Sequence, residues 1–157
     1  MWKHVLLIAS AVAVLVVTTG CGLSATKNED AARQELARHR SLWQSQKLQN
    51  YRYVGRRTCF CPREVVDPVV VEVRGDSVAS ATYQQTGEPA AARYAGLWPT
   101  LEGVFGIVEE ALERDAASVQ VEYDAERGYP RSITIDYVEG AVDDELRYTV
   151  EEFEPLP

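Results

Sequence analysis

Histidine, methionine and cysteine are scarce in this 157-residue chain, which has two, one and three of them. With only His4 and His39 available, Ser-His or Cys-His nucleophilic chemistry has little to build on. The chain also lacks a G-x-S-x-G elbow, an H-E-x-x-H pair and a phosphate-cradling glycine loop. No catalytic residue is therefore expected. Basic residues are outnumbered, 16 against 24 acidic ones, for a formal net charge of −8. An acidic surface repels nucleic-acid phosphates, so no nucleic-acid partner is expected. No apolar run reaches the roughly 20 residues that a permanent membrane-spanning helix needs. The longest, Val5 to Val17, has 13.

That run is nonetheless informative. It follows Met1-Trp2-Lys3-His4 and leads into Thr18-Thr19-Gly20-Cys21. A basic start, an apolar core and a small-residue exit make up a secretory signal; the other reading is an uncleaved anchor helix. Thr18-Thr19-Gly20-Cys21 resembles the lipobox of bacterial lipoproteins, although Thr18 stands where an aliphatic residue is usual. The resemblance implies cleavage before Cys21, a thioether-linked lipid on its sulfur and acylation of the new amino terminus. Several acyl chains suffice for stable anchoring, at about 0.8 kcal/mol per buried CH2. The expected organisation is a lipoprotein signal peptide over 1–20, a lipidated tether over 21–28 and one domain over 29–157. The expected location is the cell membrane or the outer membrane, with the domain on the extracytoplasmic or periplasmic side. Gly22 in place of an aspartate favours the outer membrane in a cell that has one.

The 137 residues from Cys21 onward are enough for one domain with a real core. Glu29 to Leu48 favours helix, and Ala32, Leu36, His39 and Trp43 recur at spacings of three and four. Tyr51 and Tyr53 alternate within a strand from Asn50 to Phe60. Val69–Arg74 and Ser77–Gln84 flank Gly75-Asp76 as a hairpin. Thr86 to Gly96 reads as a loop. Thr100 then caps a second helix with its stripe at Leu101, Val104, Phe105, Val108 and Leu112, where Gly103 and Gly106 would permit close packing on a sheet. Three more alternating strands follow, around 119–123, 133–137 and 146–153. The order α-βββ-α-βββ predicts an α+β fold: one antiparallel sheet of about six strands with two helices on one face. In a single sheet the first hairpin would meet the strands of the second half; two separate αβββ units are the alternative.

Cys59-Phe60-Cys61-Pro62 is the most unusual segment. On a regular strand both cysteines share a face with Cα atoms about 6.5 to 7 Å apart, at the outer limit for a disulfide, and a bend at Pro62 would shorten that distance. An exported compartment is oxidising, so an intramolecular disulfide is expected. A thiol redox pair or a Cu(I) site are the alternatives. Zinc fits poorly, because a structural site takes about four ligands and the mature chain offers one histidine. Asp136, Asp143, Asp144 and Glu145 supply hard oxygens of the kind Ca2+ takes, but match no calcium-loop spacing, and a solvated acidic loop is the simpler reading. His39 reads as a packed residue and the tyrosines as sheet packing. No metal and no cofactor is expected.

Taken together, Trp43, Asn50-Tyr51-Arg52-Tyr53, Cys59-Phe60-Cys61-Pro62, Val121-Glu122-Tyr123-Asp124, Gly128-Tyr129-Pro130, Ile133 with Asp136, and Asp143-Asp144-Glu145 resemble a family of uncharacterised bacterial lipoproteins. Its domain has no assigned function. The resemblance spans about Trp43 to Phe153 and implies an envelope protein of shared fold, with no established activity, substrate or catalytic residue. The expected activity is non-enzymatic binding of an envelope protein or a small ligand. The alternative is thiol redox or copper handling by Cys59 and Cys61.

Overall fold

The computed structural model describes residues 23–141 and 145–157. Helix α1 spans Leu23–Ser45, β1 Tyr51–Thr58, the short α2 Arg63–Val66, β2 Val69–Arg74 and β3 Ser77–Tyr83. A 3-10 turn covers Ala92–Leu97; α3 follows at Leu101–Glu113, then β4 Ser118–Tyr123, β5 Pro130–Asp136 and β6 Leu146–Pro155. The six strands form one antiparallel sheet in the order β3-β2-β1-β6-β5-β4. The α+β class is thus as the alternating patterns predicted.

The joint between the halves differs from expectation. It runs through β1 and β6, from Tyr51 opposite Pro155 to Thr58 opposite Arg147, and not through the first hairpin. The first strand of one half therefore lies beside the last strand of the other.

Alternation assigns the two faces. Tyr51, Tyr53, Val69, Val71, Val73, Ile133, Ile135, Tyr148 and Val150 are buried together beneath α1 and α3. The opposite face carries Arg52, Arg56, Glu72, Gln120, Glu122 and Arg147 and is open to solvent. Arg52 pairs there with Glu154 at 2.6 Å, a surface ion pair of the kind that contributes about 0–1 kcal/mol. Helix α3 starts as its sequence dictates, with the Thr100 hydroxyl accepting from the Gly103 N–H at 3.1 Å.

Helix boundaries moved for local reasons. The stretch read as a tether over 21–28 is helical from Leu23, since Leu23 to Ser45 holds no glycine or proline and is rich in good helix formers. The helix stops at Ser45, short of Leu48, and Lys47 turns the chain with a positive φ of 52°. The glycines of α3 do not pack on the sheet. A Cβ at Gly103 would stand 2.6 Å from Pro99 Cβ, and one at Gly106 would meet nothing within 4 Å.

Candidate functional site

The sheet has two poles. At one, β1 begins, β6 ends, α1 ends and α3 starts. The end of α1 with the link after it, the start of β1, the β2–β3 turn and the start of α3 line a cleft of about 650 Å3, formed by Trp43, Gln44, Lys47, Leu48, Gln49, Tyr51, Asp76, Thr100 and Glu102. Trp43 and Tyr51 are buried and meet edge to face at 5.3 Å. The helix end and the link after it supply Gln44, Lys47 and Gln49, while the β2–β3 turn supplies Asp76, whose φ of 64° is positive.

The polar groups here are already partly committed. The Leu101 N–H at the start of α3 donates to Tyr51 Oη at 2.9 Å, which together with the Thr100 cap uses up donors that would otherwise attract an anion. Glu102 Oε1 accepts from Arg40 at 2.6 Å and lies 3.4 Å from Gln44 Nε2. Arg40 also reaches Glu109 at 3.1 Å. Two carboxylates, one ammonium, three amide or hydroxyl side chains and an aromatic floor can hold a polar ligand. None of the lining residues is a histidine, cysteine or serine.

Beneath the cleft a buried relay of phenols ties the sheet to α3. Tyr53 Oη donates to the Pro99 carbonyl, and Tyr148 Oη lies 3.1 Å from Tyr53 Oη. Burial pushes Tyr51 and Tyr148 up to about 12 and Tyr53 well above the ordinary tyrosine value. The space for this relay exists because residue 55 is glycine. A Cβ there would stand 2.8 Å from Tyr148 Oη and 3.4 Å from the Trp98 ring.

The other sequence-derived candidates lie elsewhere. Cys59 and Cys61 sit just beyond β1 at the opposite pole, with Cα atoms 5.2 Å apart and sulfurs at the bonded distance of 2.10 Å. Cys61 N–H also donates to Cys59 O at 2.9 Å, the tight turn anticipated before Pro62. Phe60 between them is 92% exposed. His39 is buried, stacks on Tyr123 with ring centroids 4.0 Å apart, and accepts from Arg38 at Nε2 over 2.7 Å. Burial, with Arg38 close by, lowers its pKa against the opposing pull of Glu35. Asp136 ends β5 with Oδ1 buried and unpartnered, and Glu145 is exposed. Cys21, Asp143 and Asp144 lie outside the described residues. Among the described residues, no three histidine, cysteine or acidic side chains converge on a metal position.

A family model matches residues 35–155, from within α1 to the last residue of β6, and its family is one of unknown function, DUF6174. The chain belongs to the DUF6174 family. No curated protein matches it. The DUF6174 region contains all six strands, the cleft and the Cys59–Cys61 turn, and it leaves out the segment that carries Cys21.

Sequence reasoning did not reach the cleft, because its residues come from three separated stretches of the chain. The available signals were Gly75-Asp76, read only as a turn, and Lys47, whose positive φ no pattern announces. Arg57 was missed as well. It lies 5.8 Å from the Tyr148 ring with its Nε buried and unpartnered, and burial lowers its pKa.

Proposed function

We propose that this DUF6174 protein is an exported lipoprotein held at a membrane by acyl chains on Cys21, and that it acts as a non-enzymatic binding module. The observation that carries the reading is the short basic start and 13-residue apolar run leading to Gly20-Cys21. No helix among the described residues is long and apolar enough to cross a membrane. The cleft at the far pole supports binding: it offers an aromatic floor and mixed charges for an envelope protein segment or a small polar ligand.

Cys21→Ser tests the anchor. Wild-type protein from the envelope should begin at Cys21 and carry the added mass of its acyl chains. The variant should be unprocessed or soluble. A Cys21→Ser protein that fractionates with membranes in mature, acylated form would refute the reading. The alternative, thiol redox or Cu(I) handling, draws on the exposure of Cys61 and the proximity of Cys59. Alkylation of the two thiols in envelope material, with and without Cu(I), separates the two.

A further inference from the structure

We infer that the pole opposite the cleft faces the lipid surface and that Phe60 is its contact residue. This rests on the anchoring of Cys21 proposed above. Strand directions place the exposed apolar groups. Thr58 pairs with Arg147, Ile135 with Leu146, and Ser118 with Asp136, so the end of β1, the end of β5, the start of β6 and the start of β4 share one pole. Of the three large apolar side chains exposed among the described residues, two lie at this pole: Phe60, 92% exposed, and Val138, 59% exposed. The third, Val78, lies near the cleft pole, opposite Val73, which itself pairs with Tyr51.

The course of α1 joins that pole to the anchor. Trp43, near the helix end, packs on Tyr51 at the cleft pole. Arg33 donates to the Leu112 carbonyl, near the end of the antiparallel α3, and Ala32 lies beside Val119 and Val121. The helix therefore enters the domain at the Phe60 pole. Among the residues whose burial is described, its first partly buried one is Ala32, and about 14 Å of helix leads from there back to Leu23. Gly22 alone separates Leu23 from Cys21.

Phe60 suits an interfacial contact. The Cys59–Cys61 link and the Cys61 N–H to Cys59 O hydrogen bond hold its backbone in a tight turn, so the ring is presented at little further cost in chain entropy. A lone phenyl this exposed in water gains by entering the boundary between headgroups and acyl chains. Because the chain is acidic, the attraction is apolar and not electrostatic, and an uncharged bilayer suffices.

The test uses full-length protein, matured in cells, purified with its acyl chains and reconstituted into vesicles of phosphatidylcholine with brominated acyl chains. Phe60→Trp and Val78→Trp each add one exposed reporter to the buried Trp43 and Trp98. Phe60→Trp should shift its emission to the blue and lose most of its added intensity to bromine quenching, whereas Val78→Trp should do neither. If the protein floats with the vesicles and Phe60→Trp stays unquenched, the anchor holds and the membrane-facing pole is refuted. If the protein does not float, the Cys21 reading fails and this inference fails with it.

Discussion

Gly128 shows how much of this molecule depends on a missing methylene group. Its φ of +85° belongs to the left-handed region, and a Cβ would stand 2.5 Å from the His39 carbonyl and 3.0 Å from Leu42 Cβ. The turn it closes is held by the Asp124 carboxylate, which accepts from the Glu126 and Arg127 N–H groups at 3.1 and 2.7 Å. Gly128→Ala should therefore destabilise the fold by at least about 1 kcal/mol, through both strain and displacement of α1. Thermal melts followed by circular dichroism would read this as a lower midpoint. An unchanged midpoint would mean that α1 can back away from the turn at no cost. The sequence marked Gly128-Tyr129-Pro130 as a motif, but the helix it clears is about 90 residues earlier in the chain. Gly55 was harder still to anticipate, since its neighbours Trp98 and Tyr148 come from two other elements.

At the scale of elements, α3 follows its pattern most closely. Leu101, Val104, Phe105, Val108 and Leu112, the residues of its predicted stripe, are all buried. A stripe of period 3.6 reports burial directly, whatever the helix packs against. Elements this short carry no such period, which is why α2 was not anticipated and the 3-10 turn at Ala92–Leu97 fell mostly within an expected loop, even though Val65 of α2 is buried. The expectation that Gly106 serves packing was wrong because periodicity cannot show what lies beside a position on the margin of the stripe. With open space around it, Gly106→Ala should raise stability by about 0.5–1 kcal/mol, the ordinary gain in helix propensity. Gly103→Ala, facing Pro99, should not share that gain. Equal melting shifts for the two variants would contradict the packing described for Gly103.

Across the whole molecule, the tyrosines of the core make stability depend on alkaline pH. Burial is the main cause that raises Tyr51, Tyr148 and Tyr123 to about 12, and it raises Tyr53 well above the ordinary tyrosine value. In the unfolded chain such phenols ionise near pH 10. The unfolded state therefore loses protons first, and the stability these groups confer is complete below about pH 10 and drains away as pH rises toward 12. Because they sit in β1, β4 and β6, both halves of the sheet should fail together. A share of the tyrosinate absorbance should appear only as ellipticity is lost; full ionisation of an intact fold would overturn the argument. The class of the fold and most strand positions were legible as alternation, a local property. Strand order was not, because the pairing of β1 with β6 leaves no local mark: each strand alternates the same way beside any neighbour.

That central ladder also sets the order in which the chain can become a domain. The Arg52–Glu154 pair links positions 102 residues apart. Two strands with solvent-exposed edges are all that β2–β3 or β4–β5 can offer alone, and isolated hairpins are marginal in water. Closing so long a loop slows folding as well. A chain still emerging from the ribosome therefore lacks the strand that joins its two halves until β6, which follows the other five strands, has been made. The same arrangement that makes one sheet of two halves therefore keeps the growing chain from closing its sheet before β6 is synthesised.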